Sequence, residues 1–362
     1  MPDESIPASG DRPGAARATQ RYLQVDGLRG AAAVVVLLMH YTTSYDILVG
    51  HSSKMLLSVP YGGLGVHLFF MLSGFVILLS IDRSRRLADF CVSRFARLYP
   101  AYWTAALVTL LITYPARLPG HELSPGAIAA NVTMLQGFLG YVHIDPVYWT
   151  LQAELQFYVV VGLIVALRMR KHILPVFASL VLLDGINHFV KFTDWRGLGL
   201  WRFAVYLPAD FLYLFLIGMT FYEMRSGFQW RHAVFLAISA GIATLHLSPF
   251  KYAIVGGSAV LLWLATRDLI PIFANRVLVF LGVISYSLYL VHQFVGYAVI
   301  TKCYSLGLNG NLAIVVAILV VVPLSIAICF LVERPANEWI KSRYKLWCNA
   351  RNGPSAKSET GC

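Results

Sequence analysis

Charged side chains are scarce in this chain of 362 residues. Asp, Glu, Lys and Arg together make up 13% of it, about half of what an ordinary soluble domain carries. With 58% of the residues hydrophobic, a soluble fold is excluded, because a domain of this size cannot hide so much apolar area from water. Cysteine is sparse as well. Cys91, Cys303, Cys329, Cys348 and Cys362 show no C-x-x-C and no metal-ligand spacing, so neither a disulfide framework nor a metal centre is expected. The first 20 residues contain no apolar core, which argues against a cleavable secretion signal. They and residues 348–362 have the polar composition of flexible cytosolic tails, leaving 21–347 as one membrane domain. No internal repeat stands out, so the inverted-repeat signature of many transporters is missing.

Acidic residues are also in deficit: 18 against 29 Lys and Arg, a net charge of +11. Nucleic acid is not the implied partner. The basic residues lie in short clusters between apolar spans rather than along one face, and no zinc-finger or RNP-like motif is present. The partner that the composition does imply is membrane lipid.

What the chain has in abundance is long apolar runs, and its mean hydropathy is +0.66. A spanning helix needs about 20 mostly apolar residues. Runs of that kind predict an all-α, polytopic integral membrane protein of about ten transmembrane helices, near 28–48, 60–81, 98–114, 149–167, 173–190, 203–223, 232–247, 251–266, 277–300 and 311–332. The long connection 115–148 includes 125–140, a candidate interfacial helix. With the N-terminus inside, 22 of the 29 Lys and Arg fall on the cytosolic side, which predicts an N-in, C-in topology.

Ionisable side chains inside such spans are costly, about 2.5 kcal/mol or more each, and are functional candidates by default. The first span carries Arg29 and His40. Eleven residues is close to three full turns, so both lie on one face, about 16 Å apart along the axis. The structural alternative is an anchoring Arg and a packing His. The fourth span opens YWTLQAELQFY and places Glu154 at a depth where it can meet His40. A carboxylate beside an imidazole raises its basicity and fixes its tautomer, which suits a general base. Trp149 and Tyr158 on the same helix are candidate substrate contacts, although an aromatic belt explains such residues equally well. In the second span, Ser73 is a candidate oxyanion donor, and Gly62, Gly63, Gly65 and Gly74 are expected to allow close helix approach. In the ninth span, Tyr289 and His292 are candidates to line the same cavity. Arg94 and Arg97, three apart on a helix leading into the third span, can clamp phosphates.

These segments resemble the acyltransferase-3 family of integral membrane O-acyltransferases. DGLRG with Arg29-x10-His40, GVHLFFMLSGF, SRFARLYPAYW, YWTLQAELQFY, LGVISYSLYLVHQF and VERP stand in family order across nearly the whole membrane region. The resemblance implies a ten-helix core, a cytosolic acyl-CoA donor (acetyl-CoA first) and no permanently bound cofactor. It implies an extracytoplasmic or lipid-linked glycan as acceptor, and a bacterial inner membrane location. It implies that His40 is catalytic with Arg29 essential beside it, that Glu154 is the motif's acidic residue, and that Arg94 and Arg97 belong to the family's basic loop. Two positions depart from the pattern: His67 stands where Asp is usual, and Leu155 where a second Glu is frequent. No SGNH-type extracytoplasmic domain follows the last span, so transfer is expected to be completed by the membrane domain alone, by a homo-oligomer or with a separate extracytoplasmic partner. A proton-coupled transporter or a flippase for a lipid-linked sugar is the competing class, since buried His and Glu suit proton coupling as well.

Overall fold

A computed structural model describes residues 22–84, 86–116, 123–192 and 209–352. The expected N-terminal tail, residues 353–362 and the start of the expected span 203–223 lie outside these ranges. Among the described residues the chain is helical throughout its regular structure, with no strand. The helices are α1 (Leu23–Leu48), α2 (Gly65–Arg83), α3 (Leu87–Ala116), α4 (Pro125–Asn131), α5 (Trp149–Ala166), α6 (Ile173–Phe192), α7 (Leu212–Glu223), α8 (Trp230–His246), α9 (Pro249–Thr266), α10 (Arg276–Ser305), α11 (Gly310–Ile328) and α12 (Arg334–Asn352).

Seven helical stretches among the described residues are long and apolar enough to cross a bilayer: those of α1, α2, α3, α5, α9 and α10, and the continuous stretch from α11 into α12. The chain is thus a multi-pass membrane protein. The remaining expected spans differ for separate reasons. α8 has 17 residues, a little short for a hydrocarbon core of about 30 Å at 1.5 Å per residue. α6 and α7 adjoin residues 193–208, outside the described set. Two boundaries also move. α3 begins at Leu87, so Arg94 and Arg97 lie on a 30-residue helix. α12 carries helix through Asn352 past a buried Cys348, beyond the expected tail boundary. Of 125–140, only Pro125–Asn131 is helical.

Local chemistry sets the ends. Ser124 caps α4 by accepting from the Ala127 amide at 3.1 Å, with Pro125 in the first turn, where its missing N–H costs nothing. Asn275 and Asn309 cap α10 and α11 through the Val277 and Leu312 amides. α10 ends on Gly307 at φ +78°, the left-handed turn that glycine adopts without strain.

Two backbone-close helix pairs hold the bundle. α1 packs on α10, where a Cβ on Gly30 or Gly282 would overlap the carbonyls of Leu278 and Asp26, respectively, and on the turn Pro271–Ala274 ahead of α10, where a Cβ on Gly27 would overlap the carbonyl of Phe273. α2 packs on α7, where a Cβ on Gly74 or Gly218 would overlap the carbonyls of Phe215 and Met71. In lipid no hydrophobic force drives helices together, so small residues that permit such contact decide which helices pair. α1 is further marked by a π-turn over His40–Ser44. Such turns recur at functional sites.

Candidate active site

Two adjoining cavities run into the bundle from the end that carries Arg83, Arg94 and Lys341, hereafter the basic end. The outer one, about 430 Å³, is lined by these residues and reaches Arg29, Ser73, Glu154 and Tyr158. The inner one, about 100 Å³, shares those four and continues to Phe69, Thr150 and Tyr289.

The residues at the junction come from three helices. α1 supplies Arg29, α2 supplies Ser73, and α5 supplies Glu154 and Tyr158. Glu154 accepts hydrogen bonds from the Ser73 hydroxyl at 2.9 Å and from the Tyr158 hydroxyl, a short contact one helical turn away. Among the described residues Arg29 makes no direct hydrogen bond or ion pair. Its guanidinium thus offers five donors to whatever occupies the cavity, beside an acceptor-only carboxylate. A site of this kind orients a polar molecule with both an oxygen to be polarised and a donor to be held.

Several sequence expectations are redistributed. Glu154 is not the partner of His40, because its hydrogen bonds go to Ser73 and Tyr158. Ser73 directs its single hydroxyl hydrogen at Glu154, so that hydrogen does not point at a developing oxyanion. His40 lies outside the lining of both cavities. It stands instead against α10, with Nδ1 3.4 Å from the Tyr297 hydroxyl and its ring 5.0 Å from that of His292. Tyr289 connects the two zones: it lines the inner cavity and its ring is 5.4 Å from His292. Its hydroxyl is 2.8 Å from Thr150. His292 is buried, Nδ1 lies 2.8 Å from the Tyr289 carbonyl, and Nε2 has no partner. A carbonyl can only accept, so Nδ1 carries the proton and Nε2 a bare lone pair. Trp149 packs against Phe70 and Phe211 rather than into a cavity, the aromatic-packing reading. His67 sits near Phe211 with Nδ1 unpartnered.

The two arginines of α3 part company. Arg97 is ion-paired with Glu333 at 3.0 Å and lies over the Tyr286 ring. Glu333 accepts in addition from Ser287 at 2.7 Å. Arg94 lies over the Tyr158 ring and donates to Ser80 at 3.0 Å, with no carboxylate partner among the described residues. Glu333 and Tyr297 are site neighbours that the sequence alone did not single out. Glu333 lies in the VERP segment, where an acidic residue at a span end was the available signal.

The chain matches the acyltransferase domain family, acyltransferase-3, over residues 22–334. It belongs to this family. Three relatives carry the likeness further. Over 180 residues it is 29% identical to an O-acetyl transferase of Shigella phage Sf6, covering 45% of this chain and 53% of the phage protein, about half its length. It is 25% identical over 304 residues to the acyltransferase MdmB of Streptomyces mycarofaciens, covering 75% and 78% of the two chains. The exopolysaccharide production protein ExoZ of Rhizobium meliloti (strain 1021) is 28% identical over 288 residues, covering 76% and 89%. No solved structure matches the chain. The family match spans α1 to α11 and so takes in α1, α2, α3, α5 and α10, whose residues line the two cavities, while Lys341 on α12 lies beyond it.

Proposed function

We propose that this acyltransferase moves an acyl group, acetyl in the first instance, from acyl-CoA to a hydroxyl of an extracytoplasmic or lipid-linked glycan in the bacterial inner membrane. The observation that carries the reading is the run of cavities leading from the basic end to the Arg29–Glu154 junction and on to Tyr289. A thioester arm entering from a charged compartment needs such a passage, and an acceptor arriving from the opposite end needs the reacting residues near its far limit. The positive-inside bias makes the basic end cytosolic and the topology N-in, C-in. The relatives named O-acetyl transferase and exopolysaccharide production protein support the acetyl group and the glycan acceptor.

In this reading Arg29 steadies the pantetheine amides on their way to His40, with Glu154 held in place by Ser73 and Tyr158. Arg94 guides the donor at the cavity mouth. Arg97 lines the passage with its charge already offset by Glu333. His40, with its Nδ1 proton directed to Tyr297, presents Nε2 as general base to the acceptor hydroxyl, and Tyr289 and His292 lie along the way by which the thioester end of the donor reaches it. The hydroxyl oxygen bonds the acyl carbon, the carbon–sulfur bond breaks, and the proton taken by His40 passes to the departing thiolate.

The test is mass spectrometry of surface and secreted glycans from cells with the gene, without it, and with His40→Ala. An acyl mass lost in both mutant strains supports the reading. An unchanged glycan profile in the deletion strain sinks the glycan acceptor, and full activity of an inserted His40→Ala protein sinks the base.

A further inference from the structure

Beside the outer cavity lies a third and larger one, about 690 Å³, between α2, the start of α6, α7, α8 and the end of α9. It shares Tyr22, Leu79 and Arg83 with the outer cavity, so the two form one forked vestibule at the basic end. Arg83, Arg170, Arg225, Arg231 and Arg267 converge on it, against Asp82 and Glu223. Topology alone asks only that basic residues flank the spans. It does not ask that arginines from two helices and three turns share one concavity.

How each cation is held decides what the cavity accepts. Arg231 is paired with Glu223 at 3.1 Å. Asp82 accepts from the Tyr222 hydroxyl at 2.5 Å. Among the described residues Arg225 has no carboxylate partner. It lies 4.7 Å from the Tyr222 ring centre and 4.9 Å from that of Tyr22. Arg170 and Arg267 donate to the carbonyls of Ser84 and Met224, at 2.8 and 3.3 Å, and Arg267 also lies over the Trp263 ring. Three guanidiniums therefore line the cavity without an ion-pair partner among the described residues, next to two tyrosine rings. Guanidinium forks match phosphate oxygens in pairs, and aromatic faces beside them suit a purine ring.

We infer that this third cavity binds the 3′-phosphorylated adenosine diphosphate end of the acyl donor, with Arg225 and Arg267 as its phosphate ligands. The inference rests on the acyl-CoA reading above and alters one part of it: the phosphates sit on Arg225 and Arg267, just past the ends of α7 and α9, rather than on the Arg94–Arg97 pair. Arg97 is committed to Glu333, and the outer cavity that Arg94 enters is narrower and leads inward. A flexible pantetheine arm fits that branch, and a nucleotide fits the wide one. The shared residues Tyr22 and Arg83 mark the bend between them.

The test uses the full-length protein purified in detergent. Equilibrium binding of radiolabelled acetyl-CoA and of acetyl-pantetheine, which lacks the nucleotide, is measured for wild type, Arg225→Gln and Arg267→Gln. Adenosine 3′,5′-bisphosphate and phosphatidylglycerol serve as competitors. Each variant is expected to weaken acetyl-CoA binding about tenfold while acetyl-pantetheine binding stays at the wild-type level, a pattern that a folding defect does not produce. Adenosine 3′,5′-bisphosphate should displace acetyl-CoA from the wild type. Equal acetyl-CoA binding by wild type and both variants would overturn the inference while leaving the acyl-CoA reading standing. Displacement by phosphatidylglycerol with none by the nucleotide would assign the cavity to a lipid headgroup and overturn it too. Failure of the wild type to bind acetyl-CoA at all would sink both.

Discussion

Arg97 and Glu333, 236 positions apart in the chain, meet as an ion pair at 3.0 Å. The Glu333 side chain is 3% exposed and that of Arg97 35%. The pair ties α3 to the π-turn at Cys329–Glu333, where α11 passes into α12. The asymmetry in burial makes the two halves unequal. Removing Arg97 strands a buried carboxylate with Ser287 as its remaining partner, at a cost of about 3 kcal/mol. Removing Glu333 leaves a cation that cavity water can still reach, at about 1–2 kcal/mol. Thermal unfolding of Arg97→Ala and Glu333→Gln in one detergent should therefore rank the first as the less stable. Equal midpoints for the two variants would contradict the asymmetry, and midpoints at the wild-type value would mean that the pair adds nothing beyond packing.

The hydrogen bonds to Glu154 suggest a division of labour at the cavity junction. Tyr158→Phe and Ser73→Ala each remove one bond and should lower acyl transfer by about tenfold. Both hydroxyls donate to the same oxygen, Oε1, so Glu154→Gln can keep both bonds and removes chiefly the charge beside Arg29. A loss larger than that of either hydroxyl variant would show that the charge itself matters. His40→Ala should lose about 10²- to 10⁴-fold, the range of a general base. Tyr297→Phe, which only frees the far ring nitrogen, should lose far less. Comparable losses at His40 and Tyr297 would contradict the base assignment.

Helix contact predicts a sharp contrast among glycines. At Gly30 and Gly282 a methyl group would overlap a neighbouring backbone carbonyl, whereas at Gly241, Gly256 and Gly257 it would meet open space. Gly30→Ala and Gly282→Ala should force α1 away from α10 and lower the yield of folded protein. Gly256→Ala should be neutral or stabilising by up to about 1 kcal/mol, since helical Gly is the costlier residue. Size-exclusion profiles and unfolding midpoints of the variants read this directly.

Asp145, just ahead of the span Pro146–Ala166, gives the stability a pH dependence. Burial pushes its carboxyl up to about 7, opposed by hydrogen bonds from the Phe294 and Val147 amides at 3.0 and 3.1 Å. The folded value lies above the unfolded one. Its contribution is therefore fully present below about pH 4 and is lost as pH rises through about 7. The unfolding midpoint should fall between about pH 5 and about pH 8, and Asp145→Asn should flatten that slope. A wild-type midpoint that climbs over this range would be the wrong sign.

Some of this was readable without coordinates. Composition alone demands a bilayer, because nothing else accepts so much apolar surface. The six ordered motifs point to the family, and helical periodicity places Arg29 and His40 at their depths on α1. Glu154 and Tyr158, one turn apart on α5, were likewise expected near a site. Periodicity, however, fixes a residue's depth and face within its own helix only. It says nothing about which helix stands opposite. Whether Glu154 meets His40 or Ser73, and whether Arg97 keeps its charge for a ligand or gives it to Glu333, depends on which backbones can touch. In α1–α10 and α2–α7 that is decided by glycines such as Gly30, Gly282, Gly74 and Gly218, whose close approach exists only once the helices are packed. The forked basic vestibule has the same origin: its arginines lie as far apart in the chain as Arg83 and Arg267, and only tertiary packing turns them toward one space.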